Sequence, residues 1–334
     1  MKAITIKSFG GVENFELSEI ENPQVKNDEV LIKIRATAFN PIDYQMRQGA
    51  TESKLLKSPI LGRELSGEII ELGKNVNSFQ IGDNVSAYVG SLASNGTYAE
   101  FISVPSKLVA KNPSKLSFVQ ATAIPMVGMT ALQCFSRIII PKKKPIFIAG
   151  GAGGVGTILI KLLISNGNRN IFTTAGNDES ITHLKNIGVN ESNIINYKKE
   201  NIIATLNEKV GNFDHVIDLV GGKMSEICAE LVNIFGTYVD ITFLATKKAK
   251  ETLFDKATTI VNIANYAPTL KSGFEKFEYY GNALRELFDK IEQNIISPTE
   301  INVVGTLSVK TVQKAHQLME NNQTNGKKIV MTIE

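Results

Sequence analysis

The residues with the clearest chemical meaning lie in the stretch Ile146-Phe147-Ile148-Ala149-Gly150-Gly151-Ala152-Gly153-Gly154-Val155-Gly156. Here Gly151-x-Gly153-x-x-Gly156 follows a short apolar run and opens a helical pattern. Glycines at this spacing let the chain turn tightly, bring backbone N–H groups up to a pyrophosphate, and pack the helix closely on its strand. The start of that helix adds unpaired N–H groups and a partial positive charge. We read a dinucleotide site, with Gly151, Gly153, Gly154, Val155 and Gly156 at the phosphates. A tight turn without a ligand is the plainer alternative. The next apolar run ends Thr173-Thr174-Ala175-Gly176-Asn177, with no acid for the ribose hydroxyls that an NAD site usually binds. Asp178 and Glu179 come later, where they charge the first turn of a helix. Thr174, with Lys185 and Tyr197 downstream, suits a 2′-phosphate, so NADPH is expected ahead of NADH.

Other chemistries are excluded by what is scattered or missing. His183, His215 and His316 stand far apart, and no CxxC, HxxxH or HExxH spacing occurs, so no metal site and no zinc are expected. His316 lies on a helical pattern away from the motifs and reads as packing. Cys134 and Cys228 sit in apolar helical patterns, as core residues of a reduced, cytoplasmic chain. The net charge of +3 is dispersed, with Lys142-Lys143-Lys144 and Lys247-Lys248 the densest basic runs, too little for a nucleic-acid face. No apolar stretch reaches the ~18 residues that cross a bilayer, so no membrane contact is expected.

The elements that must position these residues follow from periodicity. The 334 residues suit two domains. Up to residue 115, short alternating runs such as Val30-Leu31-Ile32-Lys33-Ile34-Arg35 are punctuated by Gly, Pro and Asn, the pattern of half-buried strands. Helical spacing over 118–135 ends at Pro141-Lys142-Lys143-Lys144-Pro145. Short apolar runs then alternate with helical patterns, which predicts a parallel sheet covered on both faces. The tail carries two helical patterns and a last strand over 328–333.

Further motifs complete the picture: Asn40-Pro41-Ile42-Asp43, Pro59-Ile60-Leu61-Gly62-Arg63-Glu64-Leu65-Ser66-Gly67, Gly96-Thr97-Tyr98-Ala99-Glu100, Val127-Gly128-Met129-Thr130-Ala131 and Gly326-Lys327-Lys328-Ile329-Val330. With the glycine loop, they make the chain resemble, over nearly its full length, the zinc-free medium-chain dehydrogenase/reductases in their quinone oxidoreductase (ζ-crystallin-like) branch. The resemblance implies an α/β architecture: a GroES-like β-rich catalytic domain (1–120), an inserted doubly wound Rossmann domain (121–264) and a C-terminal segment completing the first (265–334). The cofactor would lie between the domains. Zinc-dependent relatives carry Cys at Asn40 and His at Arg63, which implies zinc-independent chemistry.

By the same resemblance Asn40 stands near the nicotinamide and orients it or a substrate carbonyl. Asp43 is either an active-site carboxylate or a helix cap. Thr130, Val220, Ile241 and Thr242 border the cofactor. Arg63 with Glu64 is either a substrate-side charge or an ion pair. The tyrosine that many relatives carry after the Asn-Pro-x-Asp motif is missing, with Tyr44 and Tyr88 as weak substitutes. The expected activity is hydride transfer from NADPH to a small-molecule electron acceptor, a quinone or an activated α,β-unsaturated carbonyl. The alternatives are enoyl-thioester reduction or NADPH binding without turnover. A homodimer or homotetramer is expected, joined through the strand pattern over 258–263.

Overall fold

A computed structural model describes residues 1–270 and 277–334. The alternating runs near the N-terminus form β1 (Lys2–Ile6), β2 (Phe15–Glu19) and β3 (Glu29–Ala38), then α1 (Pro41–Arg47). They continue through β4 (Glu64–Leu72), β5 (Asn84–Tyr88), β6 (Phe101–Pro105) and β7 (Val109–Lys111). The helical spacing over 118–135 resolves into two helices, α2 (Phe118–Thr122) and α3 (Pro125–Arg137). The break falls where Pro125 has no N–H to donate into a continuing helix; proline instead suits the first turn of a new one.

Strand and helix then alternate: β8 (Ile146–Ala149), α4 (Gly154–Ser165), β9 (Ile171–Ala175), α5 (Asp178–Asn186), β10 (Ile194–Asn196), α6 (Ile202–Lys209), β11 (Phe213–Asp218), α7 (Lys223–Leu231), β12 (Val232–Asp240), α8 (Lys247–Asp255) and β13 (Thr259–Asn262). The described chain closes with α9 (Phe277–Glu292), β14 (Ile301–Thr306), α10 (Val309–Glu320) and β15 (Lys328–Thr332).

Two compact units result: Met1–Met129 with Tyr266–Glu334, and Thr130–Asn265. In the first, a seven-stranded sheet runs β14-β15-β3-β4-β5-β7, with β6 also on β3. The C-terminal β15 pairs antiparallel with β3, Val330 opposite Ala38, so the end of the chain lies beside the strand that leads into Asn40. In the second, a parallel six-stranded sheet has the order β10-β9-β8-β11-β12-β13. Its inner strands are apolar because both faces are covered: β8 is buried at every residue. Phe147, Phe172 and Phe213 meet beneath it, with ring centroids 5.6 and 5.7 Å apart for the Phe172–Phe213 and Phe147–Phe213 pairs. No helix of the described residues is long and apolar enough to cross a membrane.

Candidate functional site

The glycine loop lies between β8 and α4, at the carboxyl end of the parallel strands. Backbone space dictates its glycines. A Cβ at Gly151 would stand 2.2 Å from the Thr173 hydroxyl, and one at Gly156 would stand 2.5 Å from the Cα of Gly151. Gly153 has room, because a Cβ there meets only the Gly150 carbonyl at 3.4 Å. Gly153 caps α4 in an extended conformation without any side-chain cap, so the first-turn N–H groups of Gly154 and Val155 stay available to an anion. The cradle thus fits a pyrophosphate in its donors, its polarity and its clearance.

Neighbouring side chains hold this loop in shape. The Thr174 hydroxyl accepts the Gly150 N–H at 2.9 Å, so this predicted cofactor residue spends its side chain on the loop. Thr173, missed by sequence reasoning, accepts the Gly151 N–H at 3.1 Å and donates to the Ile148 carbonyl at 2.7 Å. Val220 is half-exposed beside the loop, within reach of a Cβ placed on Gly150.

Two buried acids, Asp218 and Asp240, also escaped notice. They end the adjacent strands β11 and β12 in register. Asp218 accepts the N–H groups of Val220 and Gly221 and the Tyr238 hydroxyl at 2.7–2.9 Å. Asp240 accepts those of Thr242 and Phe243, which fixes the turn carrying Ile241 and Thr242. The signal was present as an aspartate closing each of two apolar runs, Val216-Ile217-Asp218 and Tyr238-Val239-Asp240.

Tyr197 lies over the end of β9: a Cβ on Gly176 would meet its hydroxyl at 2.4 Å. Lys185 is not brought there. It sits in the last turn of α5, about 10 Å along the helix from Asp178 at ~1.5 Å per residue, and its ammonium pairs with Glu191 at 2.7 Å. The lysine close to the start of α5 is Lys199, whose Nζ is 3.7 Å from Asp178. Thr130, on α3, accepts the Asn265 side-chain amide at 2.7 Å.

In the first unit, a buried polar cluster surrounds Asn40. The side-chain amide of Asn40 donates to Glu64 Oε1 at 2.8 Å, and its Oδ1 accepts from the Lys328 ammonium at 2.5 Å. Lys328 also pairs with Glu64 at 2.6 Å, and the other Glu64 oxygen accepts the Met126 N–H in the first turn of α3 at 2.7 Å. Sequence reasoning missed Lys328 because it is one of two consecutive lysines in a terminal strand. Glu64 therefore pairs with Lys328 rather than with Arg63. Arg63 instead donates to the Tyr88 hydroxyl at 3.0 Å and points an N–H at the Met46 sulfur. Arg63 and Met46 also line a small pocket open to solvent, with Leu55, Ile60, Gly90 and Asn95 around it.

Asp43 caps α1. Its carboxylate accepts the Asn40 N–H at 2.8 Å, and its own N–H donates to the Asn40 carbonyl at 2.9 Å. It is wholly buried, and burial pushes its carboxyl up to about 7, against the pull of the Asn40 N–H and the Arg63 charge. His316 is not remote from the motifs. Its ring packs on Phe39, the neighbour of Asn40, and its Nε2 lies 3.2 Å from the Tyr98 hydroxyl. Burial holds that imidazole neutral, moving it down to about 3.

Known proteins resemble this chain in sequence and in fold. The profile of the Alcohol dehydrogenase GroES-like domain matches residues 26–114, and that of the Zinc-binding dehydrogenase family matches residues 190–330. The chain is 30% identical to 2-methylene-furan-3-one reductase of Solanum lycopersicum, over all of this chain and 79% of that protein. It is 29% identical to the chloroplastic NADPH-dependent alkenal/one oxidoreductase of Arabidopsis thaliana, over all of this chain and 80% of that one. The quinone oxidoreductase structure from Coxiella burnetii superposes with a TM-score of 0.82 at 28% identity, covering 100% of this chain and 99% of that one.

Proposed function

This chain belongs to the medium-chain dehydrogenase/reductase superfamily, in its quinone oxidoreductase branch, and on that premise we propose that it reduces a quinone or an activated α,β-unsaturated carbonyl with NADPH. A general oxidoreductase function follows from its relatives. The observation that carries the finer reading is the uncapped, open start of α4, with space at Gly153 for a phosphate and none at Gly151 or Gly156 for a side chain. The missing acid at the end of β9, the exposed Tyr197 and the nearby Lys199 support a 2′-phosphate over free ribose hydroxyls.

NADPH, when bound, supplies the hydride. The protein supplies position and charge: loop N–H groups hold the phosphates, and Asn40 presents an amide to the reacting groups. The proton that completes the reduction would come from water. The donor set does not suit zinc. Among the described residues no group of three or more His, Cys, Asp or Glu side chains is placed to hold a metal ion. The Asn40 oxygen is already taken by an ammonium, and Arg63 brings a second cation. We also read β13, an edge strand with Ile260 half-exposed, as the seam of a homodimer. A sedimentation mass equal to one chain at micromolar concentration would remove that reading.

Activity is tested by loss of 340-nm absorbance with NADPH and NADH in parallel, against an ortho-quinone, a para-quinone and an enone. NADPH oxidation with any of the three supports the proposal, and an enone preference places the chain beside the alkenal/one reductases. NADPH binding without oxidation of any acceptor overturns it. In the same assay, Asn40→Ala should lower kcat while leaving the NADPH Kd nearly unchanged.

A further inference from the structure

Asn40, Glu64 and Lys328 come from three separate elements, and each touches the other two. Asn40 precedes α1, Glu64 opens β4 and Lys328 opens β15; all three are at most 5% exposed. We propose that Lys328 is a positioning residue: with Glu64, it decides which end of the Asn40 amide faces the acceptor and keeps it there. The proposal rests on Asn40 serving the reaction.

The argument is electrostatic. Turning the amide over would set its oxygen against the Glu64 carboxylate and its NH₂ against the ammonium. Two charge-assisted hydrogen bonds would become two repulsions in a buried setting where polar contacts count most. Neutral partners would tolerate either orientation far better. An asparagine side chain has two N–H groups and two acceptor lone pairs. The clamp uses one of each and leaves one N–H and one lone pair in fixed directions. Hydride delivery to a conjugated carbonyl puts negative charge on its oxygen, and a donor already aimed at that charge stabilises it without reorganising. Asp43 and Arg63 are ionisable groups near this triangle, and both remain in every variant below.

The competing reading is that Lys328 merely neutralises Glu64, and a charge-deleting pair separates the two. Lys328→Met alone strands a carboxylate, so the decisive variant is Lys328→Met/Glu64→Gln, which removes both charges and keeps an amide to accept the Met126 N–H. Thermal midpoint and NADPH Kd, from nicotinamide fluorescence, should stay near wild type. kcat should fall by about tenfold or more with KM little moved, and Lys328→Arg should recover most of the loss. A folded double variant with wild-type kcat overturns the inference. If the double variant does not fold, Lys328→Gln/Glu64→Gln takes its place: a kcat loss of about tenfold upholds the role, and near-wild-type kcat overturns it. Asn40→Ala in parallel separates the failures. kcat lost there but kept in the double variant sinks Lys328 alone; kcat kept in both sinks the role of Asn40.

Discussion

The glycine loop and the Asn40 cluster are built from opposite materials. The loop is lined by main-chain N–H groups, and Gly151 and Gly156 leave no room for a side chain. The cluster is built mainly from side chains, those of Asn40, Asp43, Arg63, Glu64 and Lys328, with almost no exposure. The first is assembled from one stretch of seven residues. The second joins positions 288 apart in the chain. The loop is therefore sensitive to added volume and the cluster to lost charge.

The largest effect should come from breaking the cluster. Glu64→Leu leaves the Lys328 ammonium buried without its carboxylate, and should cost about 3–5 kcal/mol in urea unfolding. A loss under about 1 kcal/mol, the scale of an exposed pair, would mean that water reaches the cluster. The loop should respond in the reverse manner. A Cβ at Gly153 has room in the fold, so Gly153→Val should cost no more than about 1 kcal/mol, the loss of a favoured cap residue. The new side chain would stand over the phosphate donors and weaken NADPH by about 100-fold, near 2.7 kcal/mol. Unchanged affinity by titration calorimetry would move the phosphates off this loop.

A third test uses two buried groups, Asp43 in the cluster and His316 against Phe39, whose pH responses oppose each other. Asp43, raised from 3.8 to about 7, keeps a proton in the folded chain that the unfolded chain has lost, so it lowers stability as pH rises through that window. His316, lowered from 6.5 to about 3, excludes a proton that the unfolded chain binds, so its contribution is lost as pH falls below 6.5. Relative to wild type, Asp43→Asn should gain stability from about pH 4.5 to 6.5, and His316→Gln should lose it over the same range. Thermal midpoints that run parallel to wild type in both variants would contradict the burial of these charges. The smallest effects belong to the exposed rim of the loop region. Lys185→Ala should leave the NADPH Kd within about twofold, because its ammonium already pairs with Glu191. Lys199→Ala should weaken NADPH by a few-fold at low salt and leave NADH unmoved. The reverse ranking would restore Lys185 to the 2′-phosphate.

Legibility followed the same division. The loop was readable because its physics is local: a strand, a turn too tight for side chains and a helix start occupy consecutive residues. Asp43 as a cap was equally local, three residues from Asn40. Lys185 shows where local reading runs out. Sequence placed it downstream of β9 but not in the last turn of α5 beside Glu191. His316 and Lys328 were harder still, since nothing in a helix face or a terminal strand says which distant side chain it will meet.

What the sequence by itself determined was the alternation of strands and helices, the turn that needs glycine, and the absence of an acid at the end of β9. These depend on residues within a few positions of one another, where backbone sterics and periodicity act directly. Only the tertiary structure decided that Glu64 serves Lys328 and Asn40 rather than Arg63, and that His316 packs on Phe39. β15 must first pair with β3, and α10 must dock, before these charges and rings share one dry space. In that space each buried polar group takes the partner that best offsets its lost hydration, a choice no single segment contains.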